Sequence, residues 1–181
     1  NQRTRNRRIY AIGDTTGRTQ LTSAANYHAG LVLRQILFRL PARVRDEIAP
    51  RVTYTDPEIA WAGHSEEEAR NRYRNIRILR WSLSENDRAR AEGAPEGHIK
   101  VVTARDGRVL GCGIVGRAAG ELIAPWSLAL SKGLMAQDMA SAIFAYPTLS
   151  EVSRRAALAV YADKLDKPWL KSALRFLRRF G

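Results

Sequence analysis

The chain has 181 residues, of which 45% are hydrophobic and 27% are charged, a composition typical of a globular domain with its own core. Its longest apolar stretch, residues 120–130, is too short to cross a bilayer, and a single cysteine, Cys112, excludes an internal disulfide framework. The lone cysteine favours a reducing compartment, so we expect a cytoplasmic location.

The net charge of +12 is concentrated at the two ends of the chain and favours an anionic partner, such as nucleic acid, an acidic membrane surface or a phosphate-rich cofactor. We do not expect nucleic acid, because the sequence contains none of the usual recognition motifs and its aromatic residues are not interleaved with the basic clusters.

Apolar periodicity and turn residues predict an α+β fold in which an antiparallel sheet is packed with helices. In chain order, we expect a strand at 7–14, a helix at 23–40, two short strands within 49–63, a helix from about 66 to 73, a strand at 75–84, a hairpin at 98–116, and helices at about 119–132, 138–143, 149–162 and 168–180.

Local capping and turn signals support several of these elements. Thr22 is suited to cap the first long helix, and Ser65 with Glu68 forms a capping box at the start of the next one. Asp106-Gly107 predicts the turn of the hairpin. The GCGIVG sequence at 111–116 has dinucleotide-binding spacing, but it lies in a hairpin arm, so we interpret its glycines as packing residues.

The order of five sequence segments resembles the flavin-dependent pyridine nucleotide–disulfide oxidoreductases, a family that includes mercuric reductase and dihydrolipoamide dehydrogenase. The segments are IYAIGD, LTSAANYHAGLVLRQI, PRVTYTDPEIAWAGHSEEEAR, GHIKVVTARDGRVLGCGIVGRAAGELI and YPTLSE. The resemblance implies that residues 1–48 end an FAD-binding domain and that residues 49–163 form a dimerisation domain of a homodimer. The pattern of apolar and basic residues itself predicts a basic amphipathic C-terminal helix over residues 164–181. FAD would be the cofactor, and NAD(P)H would bind to an upstream domain that this chain lacks. The isolated 181 residues should therefore show no turnover.

The resemblance assigns Asp14, which follows Gly13, to the flavin site, where the corresponding carboxylate binds the ribityl chain. A carboxylate after a glycine that permits close backbone approach also suits a hydroxyl-rich ligand on chemical grounds. The alternative is an Asx turn, in which the Asp14 side chain closes the strand end.

The start of the first helix is the second predicted part of the flavin site. Its first turn carries unpaired backbone N–H groups and the positive end of the helix dipole, and in relatives this end faces the pyrimidine side of the flavin. The residues concerned are Leu21, Thr22, Ser23 and Ala24. The alternative is that Thr22 only caps the helix, although a side-chain cap and backbone donation to a ligand are compatible.

The YPTLSE segment is the predicted catalytic site, and it departs from the family pattern. Relatives have His-Pro-Thr followed by Glu at the same spacing, and the His-Glu pair exchanges protons with thiols across the dimer. Here Glu151 is retained, but Tyr146 replaces the histidine, and a phenol is a poor base for a thiol at neutral pH. Either the enzyme uses its flavin for another acceptor, such as a metal ion, a quinone or a small electrophile, or Tyr146 acts as a weaker acid. A third interpretation is that Tyr146 only packs at an interface and that Glu151 only complements the helix dipole.

The remaining candidates carry weaker signals. We expect Cys112 to be a buried, inert thiol, and no cluster of ligating residues predicts a metal site. The C-terminal segment has an apolar face opposite a basic one, which fits either peripheral contact with an anionic membrane or a surface helix packed on protein. A rival to the enzyme hypothesis is a non-catalytic dimeric module that binds an anionic partner through its basic termini.

Overall fold

The structure, a computed structural model, describes residues 2–162 together with residues 172, 175, 176 and 178. It confirms the α+β prediction: a five-stranded antiparallel sheet carries helices on its faces. The strands, which lie in the order β1-β2-β5-β4-β3 across the sheet, are β1 (Arg51–Thr53), β2 (Glu58–Gly63), β3 (Ile76–Ser82), β4 (His98–Ala104) and β5 (Val109–Gly116). The helices are α1 (Thr22–Phe38), α2 (Glu66–Arg72), α3 (Asp87–Ala91), α4 (Ala119–Leu122), α5 (Ala124–Lys132), α6 (Ala136–Ser141) and α7 (Glu151–Leu158). Short 3-10 helices occupy Gly13–Thr16, Asp46–Ile48, Leu83–Glu85 and Ala159–Tyr161.

The main core lies between one face of the sheet and helices α4, α5, α6 and α7. Strand alternation places Ala62 of β2 opposite Cys112 of β5 on this face. Trp126 of α5 is completely buried, and its indole N–H donates to the Ser153 hydroxyl of α7 at 3.0 Å, so one hydrogen bond joins two of the covering helices. A smaller cluster under α2 covers part of the opposite face.

The predicted hairpin and capping box are confirmed. The β4–β5 turn closes with a hydrogen bond from the Gly107 N–H to the Ala104 carbonyl at 3.0 Å, and Gly107 has a φ of 103°, which favours glycine. Ser65 accepts from the Glu68 N–H at 2.9 Å, while the Glu68 carboxylate accepts from the Ser65 N–H at 2.8 Å.

The prediction of a buried strand over residues 7–14 is wrong. This segment contributes only one antiparallel bridge, between Arg3 and Tyr10, and Ile9 and Ile12 are 53% and 38% exposed. A strand needs neighbours to pair its backbone N–H and carbonyl groups, and the described part of the chain supplies none beyond that bridge. The segment instead turns at Gly13 into a 3-10 helix.

Two helix predictions also need correction. The helix expected at 119–132 is divided into α4 and α5, because Pro125 lies in the first turn of α5 and has no N–H to continue the α4 hydrogen-bond ladder. The helix expected from 149 begins at Glu151 and passes into a 3-10 turn after Leu158.

The predicted C-terminal helix at 164–181 lies outside the described residues, apart from four separate positions. Among the helices that the structure does describe, none combines the length and the apolar character needed to cross a membrane.

Candidate functional site

Gly13 and Asp14 form a tight turn in front of helix α1. Gly13 has a φ of 61°, and a Cβ at this position would lie 3.0 Å from the Cβ of Ala25 in α1, so both conformation and space favour glycine. The turn is closed by the Gly17 N–H, which donates to the backbone carbonyl of Asp14 at 3.0 Å. The Asp14 carboxylate therefore does not close the turn, in contrast to the Asx-turn alternative. It is exposed and has no hydrogen-bond or ion-pair partner among the described residues.

A buried histidine that sequence analysis did not select holds this turn in place. The Gly13 N–H donates to Nδ1 of His28 at 3.2 Å, and Nε2 of His28 lies 2.7 Å from the Asp46 carboxylate. Because a backbone N–H only donates, Nδ1 must be the unprotonated nitrogen, so Nε2–H donates to Asp46 and the imidazole is neutral. His28 is completely buried, and a lone histidine in an otherwise ordinary helix carries no sequence signal for such a role.

The start of α1 differs from prediction by one residue. Leu21 is the N-cap in an extended conformation, and the first helical hydrogen bond runs from the Ala25 N–H to the Leu21 carbonyl at 3.0 Å. Thr22 is thus the first helical residue, and the expected side-chain cap by Thr22 is absent, because a residue already in the helix cannot direct its hydroxyl to the N–H groups one turn ahead. The N–H groups of Thr22, Ser23 and Ala24 have no hydrogen-bond acceptor in the described part of the chain.

A small pocket adjoins this helix start. It has a volume of about 230 Å³ and lies between α1, the 3-10 helix at Asp46–Ile48, and α5. Its lining includes Ser23, Ala24, Tyr27, Ile48 and Ser127, so the first turn of α1 meets the helical layer of the sheet domain here.

The second group of predicted residues lies between α6 and α7: Tyr146 is in the loop, and Glu151 is the first residue of α7. Thr148 organises this loop: its hydroxyl donates to the Ala145 carbonyl at 2.6 Å and lies 2.8 Å from the Ser150 hydroxyl. The side-chain amide of Asn86, which is almost fully buried, donates to the Thr148 carbonyl at 3.1 Å. Asn86 also caps α3 by accepting from the Ala89 N–H at 2.9 Å, so one residue fixes both the loop and α3.

The Tyr146 hydroxyl donates to Oδ2 of Asp87, the first residue of α3, at 2.9 Å. This hydrogen bond and the negative charge of Asp87 raise the pKa of the Tyr146 hydroxyl above its ordinary value of 10.0. Tyr146 is 67% exposed, so most of its surface is accessible from solvent.

Glu151 lies close enough to Tyr146 for its charge to act on the hydroxyl, but it binds a different group. Its carboxylate accepts from Nε of Arg155 at 3.1 Å along α7. No hydrogen bond joins Glu151 to Tyr146 among the described residues. Tyr146 therefore takes Asp87, rather than Glu151, as its carboxylate partner. Sequence analysis selected neither Asn86 nor Asp87, and nothing in the sequence indicated their contact with residues about 60 positions away.

The two groups of predicted residues are separate within one chain. Asp14 and the α1 start lie at one element, whereas Tyr146 and Glu151 lie at another, and no hydrogen bond or ion pair in the described part of the chain joins them. No group of three His, Cys, Asp or Glu side chains suited to hold a metal occurs among the described residues. Cys112 is buried as predicted, and burial raises the pKa of its thiol well above the ordinary value.

Gly111 and Gly116 have the packing role that we predicted for the glycines at 111–116, whereas a Cβ on Gly113 would make only an ordinary contact, 3.6 Å from the Trp61 side chain. A Cβ on Gly111 would lie 2.0 Å from the His64 carbonyl oxygen, and one on Gly116 would lie 2.6 Å from a methyl carbon of Leu83. No side chain fits at either position without displacing its neighbours.

Comparisons with known proteins place this geometry in a family. Residues 49–157 match the model of the pyridine nucleotide-disulphide oxidoreductase dimerisation domain. The chain is 33% identical over 159 residues to dihydrolipoyl dehydrogenase of Trypanosoma brucei brucei, which covers 87% of this chain and 33% of the relative. The crystal structure of LpdA from Mycobacterium tuberculosis aligns with a TM-score of 0.83 at 28% identity, covering 88% of this chain and 35% of that one.

A second structural neighbour is RclA of Escherichia coli, an HOCl-induced flavoprotein disulfide reductase. It aligns with a TM-score of 0.74 at 25% identity, covering 83% of this chain and 35% of that one. The chain thus spans about a third of the length of the relatives that it matches.

Proposed function

The chain belongs to the pyridine nucleotide-disulphide oxidoreductase family through its dimerisation domain, and we propose that it is the C-terminal part of an FAD-dependent NAD(P)H oxidoreductase. In this proposal, residues 49–163 provide the homodimer interface, and residues 1–48 complete an FAD-binding domain. The share of the relatives that the chain spans supports this division, since about two thirds of their length would remain for the nucleotide-binding domains.

The observation that carries the proposal is that most of the predicted flavin ligands have no hydrogen-bond partner within the described residues. The Asp14 carboxylate is exposed and unpaired within the described residues, and it follows a turn held by buried His28. The N–H groups of Thr22, Ser23 and Ala24 are likewise unpaired at the positive end of a long helix. A carboxylate acceptor and a row of backbone donors fit a ligand with both ribityl hydroxyls and carbonyl oxygens. When bound, FAD would supply the acceptor for hydride from NAD(P)H.

Tyr146 and Glu151 would line the active site of the partner subunit, as the residues at these positions do in the family. A tyrosine hydroxyl is already protonated at neutral pH, and Asp87 raises the pKa of the Tyr146 hydroxyl further, so it is a poor base for a thiol. Glu151 is engaged with Arg155 and does not orient the tyrosine. We therefore propose that the electron acceptor is either a disulfide handled without the usual base or a compound that is not a disulfide.

The test is an anaerobic titration, with NADH and with NADPH, of the protein expressed from its full native reading frame, monitored by the flavin spectrum. We expect bound flavin that is bleached by one of the two nucleotides. A thiolate charge-transfer band would indicate a working flavin–disulfide pair, whereas bleaching without that band would indicate an acceptor that is not a disulfide. A protein without flavin would contradict the enzyme hypothesis and favour a dimeric module that binds an anionic partner.

Asp14→Asn provides the site-specific version of this test. Asparagine keeps an acceptor oxygen but removes the charge, so a ligand hydroxyl would lose only the charge-assisted part of its hydrogen bond. FAD binding should therefore weaken by about tenfold, measured as the flavin retained after dialysis. Asp106→Asn is the matched control, because Asp106 is exposed in the distant β4–β5 turn. Equal flavin retention in the two variants would show that Asp14 is not a flavin ligand.

A further inference from the structure

Asp87 is the one carboxylate that contacts the Tyr146 hydroxyl within the described residues. Separate hydrogen bonds hold the segment that carries Asp87 and the loop that carries Tyr146. Asp87 follows Asn86, whose side chain caps α3 and holds the Thr148 carbonyl. The loop that carries Tyr146 is also held by the Thr148 hydroxyl on the Ala145 carbonyl. The 2.9 Å bond from Tyr146 to Asp87 thus joins two segments whose backbones are already anchored, so the loop does not depend on this bond for its place.

The direction of this bond decides which hydrogen-bonding group Tyr146 presents. A phenol has one proton, and an ionised carboxylate only accepts, so the hydroxyl proton is directed to Asp87. The two lone pairs of the phenol oxygen remain, and 67% of the Tyr146 surface is exposed. An incoming ligand therefore meets a hydrogen-bond acceptor at Tyr146 instead of a donor.

The charges around Tyr146 are unequal. Glu151 is paired with Arg155 on α7, and their charges act on the pKa of the Tyr146 hydroxyl in opposite directions, Glu151 raising it and Arg155 lowering it. Asp87 on α3 has no cationic partner among the described residues; its neighbour Arg88 is paired with Glu92. Within the described part of the chain, the Asp87 carboxylate oxygen that lies 2.9 Å from the phenol oxygen therefore has no compensating cation.

We propose that Asp87 is a positioning and specificity-determining residue, which holds the Tyr146 hydroxyl as a hydrogen-bond acceptor and makes the site favour neutral electron acceptors over anionic ones. The identity of the ligand as an electron acceptor rests on the proposed function, whereas the pairing of Asp87 with Tyr146 does not. A purely structural role, in which the pair only anchors the loop, would depend on the hydrogen bond and not on the charge.

The pairing is tested on the 181-residue chain without flavin, by titrating phenolate absorbance. The curve of the wild type minus that of Tyr146→Phe isolates the titration of Tyr146. We expect its pKa to lie above that of an ordinary tyrosine and to fall in Asp87→Asn, because asparagine keeps an acceptor oxygen but removes the charge. Glu85→Gln is the matched control, since Glu85 is exposed nearby and has no part in the contact. An unchanged Tyr146 titration in Asp87→Asn would overturn the proposal.

The specificity is tested on the full-length flavoprotein with naphthoquinone and its sulfonate as acceptors. The ratio of kcat/KM for the neutral over the anionic quinone is compared between wild type and Asp87→Asn, so the intrinsic reactivities of the two quinones cancel. Removal of one exposed charge should lower this ratio by about two- to fivefold, while Glu85→Gln should leave it unchanged. An equal ratio in wild type and Asp87→Asn refutes the specificity role. Absence of flavin would instead contradict the proposed function, and the titration would still decide the pairing.

Discussion

Replacing His28 with leucine should release the turn that carries Asp14. Leucine removes both ring nitrogens, so the buried Gly13 N–H loses its acceptor at 3.2 Å and the Asp46 carboxylate loses its donor at 2.7 Å. A buried polar group without a partner costs about 1–3 kcal/mol. The Asp46 side chain is 15% exposed and recovers part of this loss from water, so we expect His28→Leu to destabilise the turn by about 2–4 kcal/mol.

Because α1 packs mainly against the 3-10 helix at Gly13–Thr16, we expect the loss of stability to be confined to this turn. The appropriate assay is therefore hydrogen exchange at the Gly13 amide. A destabilisation of about 2–4 kcal/mol corresponds to roughly 30- to 1,000-fold faster exchange. His28→Gln retains a donor for Asp46 and should have a smaller effect.

His98→Leu is the control for His28→Leu, since His98 is exposed at the start of β4 and surface changes usually remain within about 0.5 kcal/mol. If His28→Leu changed Gly13 exchange no more than His98→Leu does, the argument that the buried imidazole holds the turn would be refuted.

Two further predictions concern stability and are measured by urea unfolding. Gly111→Ala should cost more than about 3 kcal/mol, because its Cβ would lie 2.0 Å from the His64 carbonyl oxygen. Its control, Gly30→Ala, meets no heavy atom within 4 Å and should stabilise the exposed face of α1 by about 0.5–1 kcal/mol; equal effects of the two changes would contradict the packing argument. The hydrogen bond from the Ser65 N–H holds the pKa of the Glu68 carboxyl below its ordinary value of 4.5, so its stabilisation is present above that pH and is lost as pH falls through the lowered pKa. Glu68→Gln should therefore be less stable than wild type at neutral pH, by less than about 1 kcal/mol, and equally stable in acid; a difference that persists in acid would show that the charge is not responsible.

The features that the sequence predicted correctly are local or periodic. The hairpin turn at Asp106-Gly107 and the capping box of Ser65 and Glu68 need only residues a few positions apart. Gly111 and Gly116 were interpreted correctly as packing residues, because a hairpin arm is not a dinucleotide-binding context. The α+β class and the family followed from the order of such segments along the chain.

The features that the sequence did not predict depend on neighbours. Residues 7–14 have strand-like composition, but strand formation requires pairing partners, and the described chain offers only the Arg3–Tyr10 bridge. The helix at 119–132 was expected to be continuous, because its residues form one largely apolar run. Pro125 interrupts that run in the sequence, and in the structure it lies in the first turn of α5, where the helix is divided.

For the candidate site, the sequence alone determined which residue types occupy it: a glycine and an aspartate before a long helix, and a tyrosine in place of the usual imidazole. Only the tertiary structure decided what those residues contact. It brought Asp87 to Tyr146 across 59 positions and placed Glu151 on Arg155 instead, and it buried His28 between Gly13 and Asp46. Hydrogen bonds of this kind depend on where separate elements meet, and that is set by packing of the whole core, to which the local sequence around each residue contributes only a small part.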